Sequence, residues 1–216
     1  MNRNFFRRVS KSPLVATVVV LTVAATAWAA AVIKLEDRPG SHVKVEGTST
    51  LHAWHAESKT VDGMIEIEDA YLTDSTLASV ASLHSGASPK VTLTIPIAEL
   101  SSGNDRMDRL MREALLAAKH PTIRFTAKEI RLPNGTAAAG KFNLQTKGDL
   151  SIAGTTKEVT FPVEVERSGD GKTTVAGKVP LKMTQFGIKP PVAMLGTLKT
   201  GDDITVTFRW IVAPNR

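Results

Sequence analysis

The side chains from which this 216-residue chain could build a reactive centre are five histidines and adjacent acids such as Asp202-Asp203, with no cysteine. His52 and His55 stand three apart, a spacing that chelates a metal when a helix turns both onto one face. Alternating apolar residues around them predict a strand instead, where positions i and i+3 point to opposite faces. No metal site is expected there, and His52 reads as a structural or pocket-lining residue. His42 and His84 have no carboxylate partner nearby in sequence, and His120 falls at the end of a predicted helix, where the dipole favours an imidazolium. Asp202-Asp203 follows Thr200-Gly201 and precedes a strand, the pattern of an ordinary turn. The sequence has no G-x-S-x-G elbow, no H-E-x-x-H helix, no phosphate-cradling glycine loop and no thiol. The expectation is a protein that is not an enzyme and needs no cofactor, with a scattered-residue hydrolase or isomerase as the weakest alternative.

The elements that would have to position any site are mostly strands. Val91, Leu93, Ile95 and Ile97 alternate with polar residues or proline; Val159, Phe161, Val163 and Val165 do the same, as do Ile204, Val206, Phe208, Trp210 and Val212. Each run is the signature of an antiparallel strand with one buried face. Shorter runs at Val43 and Val45, Leu51 to Ala56, Ile65 and Ile67, Ile123 to Ala127, Phe142 to Ile152 and Val175 to Met183 bring the count to roughly nine. Between residues 123 and 132 the apolar parity switches from Ile123 and Phe125 to Ile130 and Leu132, which predicts a bulge of the kind that bends strands into barrels. One helix is predicted from Ser102 to Lys119. Met107, Leu110, Met111, Ala114, Leu115 and Ala118 share one stripe, Ser102 and Asp105 form a cap, and Pro121 lies past the end. Residues 69–88 carry no readable period. These features predict an all-β fold, a closed antiparallel barrel of about eight strands with one amphipathic helix, in preference to a two-sheet sandwich.

The first 29 residues predict a secretory signal peptide. Arg3, Arg7, Arg8 and Lys11 precede an apolar run from Leu14 to Ala27, and Ala27-Trp28-Ala29 supplies small residues for cleavage. The run is short for an uncleaved membrane anchor. The absence of cysteine excludes a lipoprotein linkage and a disulfide framework, so the core alone must hold the fold. Removing the four leader cations lowers the net charge from +6 to +2, and the remaining Lys and Arg alternate with acids rather than gathering on one surface. A nucleic-acid partner is not expected. Residues 30–41 read as a linker and 42–216 as one domain, periplasmic or secreted.

Several segments taken in order resemble the YceI-like family, periplasmic proteins with a lipocalin-like barrel, some of which bind polyisoprenoids. The segments are Ser49-Thr50-Leu51-His52-Ala53-Trp54, Met111-Arg112-Glu113-Ala114-Leu115, Lys119 to Phe125, Gly148 to Lys157, Phe186-Gly187-Ile188 and Gly201 to Val206. The resemblance implies a lipocalin-like barrel around a lipid such as a polyisoprenoid or isoprenoid quinone. Members similar to the isoprenoid binders open with an Asp, then His-Ser, whereas this chain has Thr50-Leu51-His52 there, so the identity of the ligand is not carried over.

Eight residues are the candidates for ligand contact: His52, Trp54 and Phe125 on the matching strands, Phe186 near the C-terminus, and Met107, Leu110, Met111 and Leu115 on the helix stripe. The helix would either lid the barrel mouth or plug it. At about 0.8 kcal/mol per buried CH₂, a tail of roughly 15 carbons would gain about 12 kcal/mol before association costs, enough for micromolar binding without a charged anchor. The expected partner is a hydrophobic small molecule of isoprenoid type, with no stable membrane span after leader removal and a homodimer as the assembly left open. The competing expectation is a stress-related or structural interaction module whose barrel is filled by its own side chains.

Overall fold

The computed structural model describes residues 31–215 apart from 85–87, 134–136, 139 and 194–196. The signal-peptide and cleavage expectations therefore lie outside the described residues. The strands are β1 (Val32–Asp37), β2 (His42–Ser49), β3 (Ala53–Ser58), β4 (Asp62–Glu68), β5 (Lys90–Pro96), β6 (Thr122–Arg131), β7 (Ala137–Ala138), β8 (Lys141–Ile152), β9 (Thr155–Arg167), β10 (Thr173–Lys182), β11 (Val192–Ala193) and β12 (Leu198–Pro214). The helices are α1 (Ala70–Thr73) and α2 (Asp105–Ala114). All strand pairings are antiparallel, and eight strands close a ring in the order β1-β4-β5-β6-β8-β9-β10-β12. Closure leaves no exposed edge among these eight strands that could recruit other chains.

The closing strand lies where a linker was expected. Within residues 30–41, β1 pairs Leu35 with Pro214 on one side and with Ile65 on the other, and Leu35 is buried. Its apolar positions, Ile33 and Leu35, are too few to display a period, so only their partners reveal them as a strand. β12 is long enough to hold two neighbours along one edge. Arg209 to Thr200 pair with β2, and Val212 to Pro214 pair with β1. The β2–β3 hairpin thus extends the wall beyond the closed ring, and an isolated pair of bonds between Glu57 and Ser101 ties its free edge to the segment before α2.

The predicted parity switch is present as a register shift between Ala127 and Glu129 on β6. It lets Ile123, Phe125 and Ala127 face inward on one side of the bulge and the buried Ile130 on the other.

The helix is shorter than its sequence pattern. α2 spans Asp105–Ala114, and its cap is Asn104, whose Oδ1 accepts from the backbone N–H groups of Arg106 and Met107 at 3.1 Å each. Ser102, the expected cap, instead donates to Asp108 through its hydroxyl at 2.6 Å and its backbone N–H at 2.7 Å. The chain turns after Leu115, with Leu116 at φ +52°, so His120 lies beyond the helix end. A nearer reason for His120 is packing: a Cβ on Gly154, in the β8–β9 turn, would stand 2.5 Å from its Nε2.

The unassigned stretch after β4 forms the barrel floor. Tyr71 on α1 and Leu77, Val80 and Leu83 beyond it are buried at 0–4% exposure, although they follow no regular period. Arg167, at the end of β9, clasps this segment. Its Nη2 donates to the Asp74 carbonyl at 2.8 Å, its Nη1 to the Tyr71 carbonyl, and its guanidinium lies 5.3 Å from the Tyr71 ring centre and 5.1 Å from that of Phe142. Such contacts do the work that periodicity does elsewhere.

Candidate ligand-binding cavity

The inward faces of the strands surround a cavity of about 750 Å³, within the range of small-molecule sites. The barrel is therefore not filled by its own side chains. Tyr71 and Leu83 form its floor; Leu35, Leu93, Ile130, Leu144, Val163 and Val206 are among the wall residues; and α2 with the tip of the β2–β3 hairpin bounds the mouth.

Aromatic residues keep the cavity open because the wall is thinned beneath them. The ring of Phe125, on β6, lies over Gly148 of β8, where an added Cβ would stand 2.6 Å from ring Cζ. Phe208, on β12, lies over Gly177 of β10 in the same way, also at 2.6 Å. Both rings reach Phe161 on β9, with centroids 5.5 Å and 6.1 Å apart in tilted and edge-on geometry. Trp54 repeats the arrangement over Gly47, and Trp210 over Gly63. Rings laid along the wall give broad apolar contact without crossing the lumen.

All eight candidate residues line this one cavity. His52 and Trp54 stand at the hairpin, Phe125 on the wall, Phe186 in the turn after β10, and Met107, Leu110, Met111 and Leu115 along α2. The helix stripe is only half-buried, because it faces the cavity rather than a packed core. His52 is exposed in the turn before β3, where its carbonyl accepts from the Ser49 hydroxyl at 2.8 Å. Among the described residues no cluster of three or more His, Asp or Glu could hold a metal ion.

Sequence reasoning did not nominate the floor or the rest of the aromatic belt. Phe161, Phe208 and Trp210 belong to alternating runs, so their inward direction was legible although their contact with a void was not. Tyr71 and Leu83 carried no signal. The Tyr71 hydroxyl shares a buried hydrogen bond of 3.1 Å with Thr173, and burial raises its pKa, an effect that Thr173 and Arg167 only partly offset.

Two polar devices fix the mouth. Asp108 is 5% exposed, and its carboxylate accepts from the Ser101 hydroxyl at 2.8 Å as well as from Ser102. Burial opposes its ionisation, but these donors and nearby Arg112 outweigh that and hold its pKa below the ordinary value. The Asp202-Asp203 pair, expected in a turn, lies inside β12 at the register shift that faces β2, and the strand uses both carboxylates. Asp202 accepts from the backbone and hydroxyl of Thr184 at 2.8 and 2.7 Å, and Asp203 meets Lys182 Nζ at 2.6 Å, fastening the turn that carries Phe186.

A family model described as YceI-like domain matches residues 36–211. No curated protein matches the chain in sequence. Among solved structures, a polyisoprenoid binding domain from Saccharophagus degradans, implicated in plant cell wall breakdown, is similar with a TM-score of 0.63 at 15% identity, over 86% of this chain and 100% of that one. BcnA from Burkholderia cenocepacia gives 0.58 at 18% identity, over 79% and 95%. The YceI protein of Campylobacter jejuni gives 0.51 at 21%, over 74% and 84%. At these identities the likeness is one of fold.

Proposed function

The chain belongs to the YceI-like family, and from that premise we propose that it is an exported, non-catalytic binding protein that carries a single-chain hydrophobic lipid in its barrel. The observation that carries the reading is the cavity of about 750 Å³ walled by apolar strand faces and an aromatic belt. With one structural relative described as polyisoprenoid binding, an isoprenoid-type tail is the leading cargo. At roughly 30 Å³ per carbon, close to the share of one water in the liquid, the cavity's 750 Å³ takes about 25 carbons. Each buried CH₂ contributes about 0.8 kcal/mol, so partial filling already exceeds the several kcal/mol that association costs.

Export rests on the leader alone. N-terminal sequencing of the mature protein is expected to return a start at or near Ala30; recovery of Met1 or Asn2 from the exported fraction would refute it. Carriage is tested by native mass spectrometry of protein purified from its own host, followed by lipid extraction. A stoichiometric lipid of up to about 25 tail carbons is the expected result. Repeated recovery of empty protein that also fails to take up added prenyl lipids would overturn the reading.

A further inference from the structure

We infer that the mouth end of the barrel docks on the surface of an anionic bilayer, with Leu51, Val192 and Leu116 entering the interface and Lys189 and Lys199 meeting the phospholipid headgroups. The inference goes beyond the carrier reading. None of these five side chains lines the cavity, so no cargo accounts for them.

Six large apolar side chains are exposed among the described residues, and their placement is uneven. Leu51 stands in the β2–β3 turn, Val192 on β11 and Leu116 just past α2, all on connections at the mouth end. Val32 and Leu72 lie at the floor end, and Met64 alternates with the lining residue Ile65 on the outer side of β4. Scattered exposed residues of this kind are ordinary, but Leu51 is 70% exposed at a place where the backbone is fastened. The Ser49 N–H and hydroxyl donate to the His52 carbonyl at 2.9 and 2.8 Å, and the Thr50 N–H and hydroxyl donate to the carbonyls of Lys199 and Thr197 at 3.0 and 3.1 Å. These bonds join the hairpin tip to β12, which in turn pairs Lys199 with Val192. Leu51, Val192 and Lys199 thus belong to one hydrogen-bonded lip, and Lys189 leads into it through Pro190-Pro191, where the Pro191 carbonyl accepts from the Thr200 N–H at 3.0 Å.

Charge selects what covers this lip. Residues 49–53 and 187–200 contain Lys189 and Lys199 and no acid. Neither ammonium has a hydrogen-bond or ion-pair partner among the described residues, and the next acids along β12 are engaged, Asp203 by Lys182 and Asp202 by Thr184. Apolar tips flanked by free lysines fit a bilayer interface, where the apolar groups enter the acyl boundary and the ammonium groups stay among the phosphates. The exposed pair at the floor end has opposite surroundings. Val32 stands across from Glu68, and the Leu72 N–H donates to the Asp69 carbonyl, so carboxylates accompany both and anionic headgroups would repel that end. Docked by its lip, the barrel turns its mouth to the bilayer, and a hydrophobic cargo passes between the two without crossing water.

The test floats the intact mature protein with vesicles of equal parts phosphatidylglycerol and phosphatidylcholine, and with vesicles of phosphatidylcholine alone. A lysine near an anionic surface strengthens binding about fivefold, so at low ionic strength the mixed vesicles should bind roughly 25-fold more tightly, an advantage that shrinks with added salt. Replacing both lysines, Lys189→Gln with Lys199→Gln, should remove most of that advantage. Leu51→Ser with Val192→Ser should weaken binding to the mixed vesicles by about tenfold or more, whereas Val32→Ser with Leu72→Ser should leave it unchanged. In all three variants the melting temperature and the uptake of a fluorescent apolar probe from solution should match the native protein, because the altered residues are exposed and lie off the cavity. The lysine pair keeps the test decisive if Leu51→Ser disturbs its turn. Protein that docks but takes up no probe would retain this inference and overturn the carrier reading. Native protein that binds neither vesicle, or binds both equally, overturns the inference and leaves the lip to a protein partner; a loss that follows Val32 and Leu72 instead of Leu51 and Val192 overturns it as well.

Discussion

Gly177 and Phe208 show how little separates a holding barrel from a filled one. The ring can lie flat only because Gly177 has no Cβ, and Gly177→Ala would put a carbon 2.6 Å from ring Cζ. Relief requires the ring to swing toward the lumen, because the wall behind is hydrogen-bonded strand. Overpacking of this kind costs about 1 to 3 kcal/mol, so the melting temperature should fall modestly while uptake of a C20 prenyl lipid falls at least tenfold. Unchanged uptake would show that the belt does not define the lumen. Phe125→Ala tests the same belt from the opposite direction. A fully buried phenylalanine costs about 3 to 5 kcal/mol to truncate, but Phe125 is half-buried and already borders a void, so urea denaturation should give about 2 to 3 kcal/mol. A loss near zero would mean that its contacts with Phe161 contribute nothing to stability.

α2 and the floor segment are the two elements that distinguish this barrel from a plain tube, and each has its own signature. The α2 stripe faces the cavity, so Met111→Lys places a charge where a tail would lie rather than in a packed core. Binding of a fluorescent isoprenoid analogue should weaken by tenfold or more, with a drop in stability of about 1 kcal/mol or less because the lysine stem can reach the mouth. A stability loss that accounts for the whole change in binding would make α2 a simple plug. The floor segment should respond to pH. Asp74 accepts from the backbone and hydroxyls of Ser79 and Thr76, the closest at 2.6 Å, and these bonds hold its carboxyl well below the usual carboxylate range. A pKa lowered by folding gives stability that is present above the unfolded value of about 4 and is lost as pH falls toward the folded value. Asp74→Asn should therefore lower the melting temperature at pH 7, and the gap from the native protein should close as pH falls from 5 toward 2. A gap independent of pH would show that the charge on Asp74 is irrelevant to the floor.

At the scale of the whole molecule the cavity has one described floor, Tyr71 and Leu83, and one mouth, so the floor sets how long a tail can be. Leu83→Ala should lengthen the accepted chain by about one isoprene unit at a stability cost of about 2 to 4 kcal/mol, read as a shift in the chain-length optimum of a prenyl alcohol series. No shift would place the end of the tail short of the floor. Much of this was legible in the residues themselves. Period-two alternation marked most of the wall strands, the parity switch marked the bulge on β6, and the stripe from Met107 to Leu115 marked the cavity face of α2, since each is a pattern impressed by one face meeting an apolar interior. Trp54, Phe125 and the four residues of the α2 stripe share the cavity because these local faces all point the same way once the sheet closes, whereas His52 and Phe186 reach it from turns. What the sequence could not display depended on partners distant in the chain. β1 has too few apolar residues to show a period and becomes a strand only between β12 and β4. The floor is irregular and held by Arg167 from nearly a hundred residues away. The void itself is a difference between the volume a closed ring encloses and the volume its side chains fill, with glycines under the aromatic rings tipping the balance, and no local pattern encodes a difference of that kind.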